Sequence, residues 1–265
     1  MAFPFLDVIP MLTAAPTATR QILQTQDLTV SFDGFKALDR LNFSLEEGEL
    51  RVVIGPNGAG KTTFLDVLTG KVKPTRGRVL FKGKDLTKLK EHEISILGVG
   101  RKFQTPRVYQ NLSVRENLEL SLNPDKRVFS TLLGKKHLRE KTDALLETIG
   151  LSRKDRVPAG LLSHGEKQWL EIGMVIAQDP DLLLLDECVA GMTDKETEAT
   201  GELIQSLAQS HTILVIEHDM VFVRQIARKV TVLHQGSVLC EGTFEDVKND
   251  PRVIEVYLGS HKGKN

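Results

Sequence analysis

The sequence has no excess of either charge, almost no cysteine and no long apolar run. Lysine and arginine total 35 and aspartate and glutamate total 35, so the formal net charge is zero. Tight binders of nucleic-acid phosphates usually carry a basic excess, so no nucleic-acid partner is predicted. No apolar run reaches the roughly 20 residues that a membrane-spanning helix needs. The only cysteines, Cys188 and Cys240, are too few for a disulfide scaffold, which favours a reducing compartment.

What the sequence does contain is enough apolar residue for a folded core, since 40% of its 265 residues are hydrophobic. Apolar and polar residues alternate in residues 27–32 and 41–45, as in half-exposed strands. Residues 49–54, 182–185 and 212–216 are continuous apolar runs of the kind found in buried parallel strands. We therefore predict an α/β fold in which helices flank a parallel sheet.

The chain divides into one main domain and two short ends. Residues 1–24 are predicted to be an N-terminal tail, because their apolar residues are interrupted by prolines and lack the basic start of a secretory signal. Residues 25–260 form the predicted domain, and residues 261–265 a C-terminal tail. Helical patterns dominate from about residue 87 to residue 160, which predicts a helical insert.

The strongest motif lies between a predicted strand and a predicted helix. Residues 55–63 match the phosphate-loop pattern, in which glycines let backbone N–H groups point at phosphates and the helix dipole adds positive potential. Lys61 is predicted to bridge the terminal phosphates and Thr62 to bind Mg²⁺. A chance glycine turn is disfavoured by this placement. The predicted nucleotide-binding residues of the loop are Gly55, Pro56, Asn57, Gly58, Ala59, Gly60, Lys61, Thr62 and Thr63.

Two further buried strands end in ionisable residues. Asp186 and Glu187 follow residues 182–185, and neighbouring strand residues point to opposite sides, so we predict different tasks for the two acids. Asp186 would hold Mg²⁺, and Glu187 would polarise the water that attacks the γ-phosphate. His218 follows residues 212–216 and could donate a hydrogen bond to that phosphate. Solvated acids and a structural histidine are the alternatives for these strand ends.

Two more segments complete a set that resembles the ATP-binding cassette (ABC) ATPases. Residues 162–168, Leu-Ser-His-Gly-Glu-Lys-Gln, resemble the family's signature motif, and residues 103–106, Phe-Gln-Thr-Pro, resemble its glutamine loop. The resemblance runs from about residue 28 to residue 258. It implies a P-loop NTPase with a RecA-like parallel-sheet core, an N-terminal antiparallel β subdomain and a helical subdomain.

The resemblance also implies roles for single residues. Two such domains meet head to tail in this family, so Ser163 and Gly165 would serve the γ-phosphate bound by the partner. Gln104 would take part in catalysis, touch Mg²⁺ and report to membrane-embedded permeases, and His218 would be the switch histidine. Ser163 with Glu166 also predicts a capping box, which would present a helix N-terminus to an anion.

Adenine recognition and the departures from the family pattern are less determined by the motifs. Phe32 would stack on adenine, with Phe35 as an alternative, and core packing is the competing interpretation of either ring. His164 and Glu166 replace a glycine and a glutamine of the usual signature. Cys188 stands where a proline usually follows the catalytic glutamate, so a thiol is placed beside the predicted active site.

Two segments narrow the resemblance to one group of importers. Residues 100–106 and 241–259 look like the ATPases of branched-chain amino acid and urea importers, and residues 163–174 and 189–193 resemble the urea branch. The resemblance implies urea as cargo, with branched-chain amino acids as the alternative. It also implies permease subunits, a second ATP-binding subunit, either a sister ATPase or a second copy, and an extracytoplasmic solute-binding protein. The location would be peripheral, on the cytoplasmic face of the inner membrane.

Three other classes compete with this interpretation. A soluble cassette ATPase usually joins two cassettes or carries a long coiled coil, and this chain has one motif set. A small-molecule kinase would share the phosphate loop but needs no signature motif. A degenerate cassette that binds without hydrolysing is disfavoured because Lys61, Asp186, Glu187 and His218 are all present.

Overall fold

A computed structural model describes residues 20–102, 107–122 and 132–259. Their strands form a four-stranded and a six-stranded sheet with helices between and around them, which confirms the predicted α/β class. In chain order the elements are β1 (Gln21–Phe32), β2 (Phe35–Glu46), β3 (Leu50–Ile54), α1 (Lys61–Leu68), β4 (Arg76–Phe81), β5 (Lys84–Asp85), α2 (Glu91–Ile96), β6 (Val99–Lys102), α3 (Val114–Leu122), α4 (Leu132–Thr148), α5 (His164–Ile176), β7 (Leu182–Asp186), α6 (Asp194–Leu207), β8 (Thr212–Ile216), α7 (Met220–Ile226), β9 (Lys229–His234), β10 (Ser237–Gly242), α8 (Phe244–Asn249) and α9 (Pro251–Gly259).

The smaller sheet is antiparallel, with strand order β2-β1-β4-β5. Its first strand begins at Gln21, six residues before the strand predicted from alternation and inside the predicted tail of residues 1–24. The register of β1 on β2 shifts between Thr25 and Leu28, and Asp27 has a positive φ of 46°. This β-bulge breaks the two-residue alternation, so the earlier half of the strand carries no readable pattern.

The larger sheet has the order β10-β9-β3-β8-β7-β6, and β10 pairs antiparallel with β9 while the other pairs are parallel. Strand β8 has the predicted bounds, and β7 continues the predicted strand by one residue to Asp186. Strand β6 lies inside the range predicted as a helical insert. Its four residues, Val-Gly-Arg-Lys, are too short and polar to read as a buried strand.

Apolar packing holds helix α1 between the two sheets. Phe64 of α1 is fully buried and meets Phe43 of β2 edge to face, with ring centroids 5.2 Å apart. On the other face of the parallel sheet, Leu183 and Leu185 pack with residues of α5, α6 and α7. A buried aromatic such as Phe64 contributes about 3–5 kcal/mol when compared with alanine, so this contact fixes the helix that follows the phosphate loop.

A third apolar cluster lies among the helices of the chain's middle. Val114 and Leu118 of α3 pack with Leu146 and Ile149 near the end of α4. Helix α5 takes part in both regions, because its Leu170 belongs to this cluster while Ile172 belongs to the cluster on the parallel sheet. Helix α5 therefore connects the helical region to the sheet that carries the candidate site.

Candidate functional site

The loop between β3 and α1 is shaped by glycines that have no substitute. Gly55 and Gly60 have φ values of 155° and 101°. A Cβ atom added at Gly55 would lie 2.3 Å from the Leu233 carbonyl oxygen, and one added at Gly60 would lie 2.5 Å from the Ala37 carbonyl oxygen. The loop therefore passes directly against β9 and β2, which only glycine permits.

Lys61 is the first residue of α1 and folds back over this loop. Its ammonium donates hydrogen bonds to the carbonyl oxygens of Gly55 at 2.6 Å and Pro56 at 3.2 Å. Burial lowers the pKa of Lys61, and the negative charges of Glu187 and Asp186 oppose that shift. The fold therefore brings the loop lysine and the two predicted acids to one place.

The remaining loop residues differ in exposure. Asn57, Gly58 and Thr62 are exposed, whereas Ala59 is buried and its carbonyl accepts a hydrogen bond from the Gly236 backbone. Thr62 lies beside Lys61 at the start of α1, so its hydroxyl can face a ligand held by the loop. Pro56, Gly60 and Thr63 are half-buried in the same turn.

The two acids at the end of β7 differ in backbone conformation and burial, and only Asp186 is a strand residue. Asp186 is the last residue of β7 and is buried, while Glu187 lies beyond the strand with a positive φ of 44°. The Glu187 backbone N–H donates to the Ile216 carbonyl oxygen at 2.9 Å, which fixes this unusual backbone conformation against β8. The Glu187 side chain is 27% exposed, whereas that of Asp186 is 9% exposed.

The His218 side chain contacts that of Glu187. Its Nδ1 lies 3.5 Å from the Glu187 carboxylate, and the ring is exposed. The preceding residue, Glu217, is fully buried, and burial raises the pKa of its carboxyl. Glu217 accepts hydrogen bonds from the backbone N–H groups of His218 and Val189, so it ties the end of β8 to the segment after Glu187.

Arg101, on β6, is a part of the site that the sequence analysis missed. Its guanidinium donates to Asp186 at 2.9 Å and to Asp66 of α1 at 2.6 Å. Asp66 also pairs with Lys71. Arg101 thus connects the helix after the phosphate loop to the acid at the end of β7. The signal in the sequence is its place three residues before Gln104.

The predicted capping box at the start of α5 is confirmed. The Ser163 hydroxyl accepts a hydrogen bond from the Glu166 backbone N–H, and the Glu166 carboxylate accepts one from the Ser163 backbone N–H. Ser163 also donates to Glu196 of α6 at 3.0 Å, and Gly165 leaves room for that carboxylate. His164 contacts the Ala190 carbonyl oxygen at 3.1 Å, so the replaced signature residue faces the segment after Glu187.

Of the residues predicted to bind adenine or to form the glutamine loop, only Phe32 and Phe35 lie in the described part of the chain. Phe32 is 48% exposed at the turn between β1 and β2, where Phe35 is 67% exposed, so neither ring is a core residue. Either ring is available for stacking. Gln104 and the rest of the predicted glutamine loop lie outside the described residues.

Comparison with known proteins establishes the family. A sequence profile described as "ABC transporter" matches residues 38–190, and one described as "Branched-chain amino acid ATP-binding cassette transporter" matches residues 237–262. The chain is 38% identical over 252 residues to the high-affinity branched-chain amino acid transport ATP-binding protein LivG of Escherichia coli K12, covering 91% of this chain and 99% of that protein. This chain belongs to the ABC transporter ATPases.

A further sequence relative and a solved structure support the same family assignment for this ABC ATPase. It is 37% identical over 249 residues to a probable branched-chain amino acid transport ATP-binding protein of Archaeoglobus fulgidus, covering 91% of this chain and 96% of the relative. Among solved structures, the ADP conformation of an ABC transporter cassette is 32% identical, with a TM-score of 0.79 and coverage of 91% and 100% of the two chains. The chain is thus an ATP-hydrolysing subunit of an ABC importer.

The surface of this ABC ATPase carries a groove of about 680 Å³ between the sheet edge and the helical region. Leu120 and Tyr109 line it and are more than half exposed, and Ile96 lines it with 81% exposure. Tyr109 follows the predicted glutamine loop by three residues in the sequence. Within the described ranges, no helix combines the length and apolarity needed to cross a bilayer.

Proposed function

We propose that this ABC ATPase binds ATP with Mg²⁺ in its phosphate loop and hydrolyses it to power solute import. The observation that carries the proposal is the meeting of Lys61, Asp186, Glu187 and His218 at the carboxyl end of the parallel sheet. This edge is where open α/β sheets place their ligands. A loop lysine beside two carboxylates and an imidazole suits phosphate binding followed by attack of water.

Each residue has a proposed task. The backbone N–H groups of residues 55–63 surround the phosphates, while Lys61 leaves its loop carbonyls and bridges the terminal ones. Glu187 takes a proton from the attacking water, and its contact with His218 orients the carboxylate. His218 donates to the γ-phosphate, and Phe32 stacks on adenine.

The donors near the loop fit Mg²⁺, which prefers oxygen ligands. The Thr62 hydroxyl is exposed beside Lys61, and the Asp186 carboxylate lies close enough to Lys61 to act on its charge. Thr62 and Asp186, with Gln104, are the residues that we propose to hold the ion. When bound, Mg²⁺ would neutralise charge that develops on the phosphate oxygens.

A head-to-tail partner would complete each site, with Ser163 and Gly165 facing the γ-phosphate of the partner's nucleotide. The capping box supports this proposal, because it fixes the N-terminus of the thirteen-residue helix α5 at an exposed position. Closure follows if the γ-phosphate binds the closed state more tightly than the open one. The partner is a sister ATPase or a second copy.

The proposed transporter also contains permease subunits and an extracytoplasmic solute-binding protein, and the ATPase sits on the cytoplasmic face of the inner membrane. The groove lined by Ile96, Tyr109 and Leu120 supports a permease contact, because its exposed apolar side chains are those that protein interfaces cover. Tyr109 follows the predicted glutamine loop by three residues in the sequence, which would couple docking to the nucleotide site.

Branched-chain amino acids are the cargo that we propose first, because the similar E. coli and A. fulgidus proteins are named for that transport. Urea is the second candidate. It is favoured by residues 163–174 and 189–193, whose sequence resembles the urea branch. These segments include His164 and Ala190, which contact each other in the structure.

Uptake in cells that lack this chain tests both cargoes. Cells are complemented with the wild type, with Glu187→Gln or with Glu202→Gln, and uptake of labelled leucine and labelled urea is measured. Glu202 is an exposed acid on α6 and serves as the matched control. We expect wild type and Glu202→Gln to restore uptake of one solute, and Glu187→Gln to lower it by about 10²-fold or more, because general-base catalysis is lost.

The solute whose uptake returns identifies the cargo. Restoration of urea uptake alone would replace branched-chain amino acids with urea and leave the mechanism unchanged. If the deleted strain takes up both solutes normally, both cargo assignments are contradicted. Normal hydrolysis by purified Glu187→Gln would contradict the task given to that carboxylate.

A further inference from the structure

The last two residues of strand β6 are both basic, and their side chains leave opposite faces of the sheet. Arg101 binds Asp66 and Asp186 on the face of α1. Lys102 is fully buried on the other face, where its ammonium lies 3.9 Å from the Glu171 carboxylate of α5. Alternation along the strand thus gives one basic residue to the nucleotide side and one to the signature helix.

Glu171 contacts the chain at two points that are separated in sequence. One of its carboxylate oxygens accepts a hydrogen bond from the Arg107 backbone N–H at 3.2 Å, and the other faces Lys102. Glu171 is only 4% exposed. Lys102 and Arg107 are the described residues on either side of residues 103–106, the predicted glutamine loop. A single carboxylate on α5 therefore contacts the chain on both sides of that loop, through a 3.9 Å charge contact with Lys102 and a hydrogen bond from Arg107.

The environment of Lys102 makes this contact sensitive to charge. The Lys102 side chain is fully buried, and its ammonium lies 3.9 Å from the Glu171 carboxylate, so neither charge reaches solvent. Removing one member of a buried ion pair leaves an uncompensated charge, whereas removing both avoids that penalty. Removing both charges can therefore relieve the stability penalty while the connection between the two side chains stays broken.

We propose that Glu171 and Lys102 are positioning residues that fix the glutamine-loop ends to the signature helix, so that movement of α5 reaches the permease contact. Glu171 lies about two helical turns after Ser163, and a regular helix carries a displacement along its length. The inference rests on the proposed function, because it assigns the coupling between ATP-dependent closure and transport. It adds a fixed connection inside one cassette.

The test uses the complete transporter in liposomes and four versions of this chain: Glu171→Gln, Lys102→Met, the double variant and Glu202→Gln as control. Three quantities are measured: ATP affinity, basal ATPase rate and the ratio of solute-stimulated to basal rate. Glu171→Gln keeps an oxygen for the Arg107 N–H but removes the charge that faces Lys102. We expect each single variant to lower the stimulation ratio about tenfold while ATP affinity stays within about twofold of wild type.

The double variant tests whether Glu171 and Lys102 act through one connection. Because either single variant already breaks that connection, we expect the double variant to lower the stimulation ratio about tenfold, as each single variant does. The proposal is overturned if folded single variants keep the wild-type ratio, if the double variant regains it, or if the loss in the double variant is the product of the two single losses. Thermal unfolding identifies folded samples.

Glu171→Asp provides a second route if Glu171→Gln does not fold. It retains the charge but is one methylene shorter, so it cannot reach both Lys102 and the Arg107 N–H, and we expect the same loss of stimulation. A wild-type ratio in folded Glu171→Asp overturns the proposal. A wild-type transporter that shows no solute stimulation contradicts the proposed function itself, whereas normal wild-type stimulation with unaffected pair variants contradicts only this inference.

Discussion

The phosphate loop and the edge strand β6 contribute to the candidate site by different interactions. At the phosphate loop, the geometry is set mainly by backbone conformation, because glycines with positive φ pack against Leu233 and Ala37. Among the hydrogen bonds of the described residues, Lys61 donates only to carbonyl oxygens of its own loop. At the edge strand β6, the geometry is set by buried ion pairs. Arg101 and Lys102 pair with acids on α1, β7 and α5.

Nucleotide binding and folding are therefore expected to depend on different parts of the site. A loop whose shape is set by glycine can lose a side chain without losing its geometry. A buried ion pair cannot lose one member without leaving the other in a poorly solvated place. We therefore expect charge removal at the sheet edge to weaken folding, and charge removal at the loop to weaken nucleotide binding.

Arg101→Met should have the largest effect, and it should be on stability. The guanidinium is 5% exposed and partners two carboxylates, so its loss leaves both without their shared cation. We expect the free energy of unfolding to fall by about 3 kcal/mol, as for other buried pairs that lose one partner. Urea unfolding followed by circular dichroism measures it.

Lys36→Met is the matched control, because Lys36 pairs with Asp39 at 3.0 Å but is 55% exposed. A surface pair of this kind contributes about 1 kcal/mol or less. If Arg101→Met and Lys36→Met unfold at the same urea concentration, the stability of the protein does not depend on the buried ion pairs of β6.

Lys61→Ala should do the reverse and lower ATP affinity with little change in stability. Charge-assisted hydrogen bonds to phosphates are lost, and each is worth about 1.5–3 kcal/mol, so we expect a loss of about 10- to 100-fold. Folding should be spared because burial already disfavours the charged form of Lys61. Fluorescent-nucleotide titration and urea unfolding on the same sample separate the two effects.

Lys248→Ala, which removes an exposed lysine of α8, is the control for Lys61→Ala. Unchanged ATP affinity in Lys61→Ala would contradict the nucleotide site. A large loss of stability with normal affinity would place the loop in the same class as the sheet edge.

The same contrast explains what the sequence could predict. The strand and helix on either side of residues 55–63, the strands β7 and β8 and the capping box are predicted from local patterns, and each is found in the structure. Strand β6 and the bulged start of β1 were missed, because one is short and polar and the other loses its alternation at Asp27.

The missed residues of the site are also explained by distance in the sequence. Arg101 meets Asp66 and Asp186, which lie 35 and 85 residues away, and no local pattern encodes such pairs. Glu196, the partner of Ser163, is likewise 33 residues distant. Motifs identify the groups that act on a ligand, whereas the charges that hold those groups become visible only once the chain is folded.

We expect peroxide to leave the ATPase rate unchanged, although the Cys188 thiol follows Glu187 in the chain. The thiol is fully buried and donates to Glu217 at 3.6 Å, and burial raises the pKa of Cys188 well above its usual value. Oxidation requires an accessible thiolate, which this environment disfavours. The measurement is the ATPase rate of Cys240→Ser after peroxide at neutral pH, because that variant leaves Cys188 as the only thiol of the chain. A loss of activity that a thiol reductant reverses would show that the buried region around Cys188 opens to solvent.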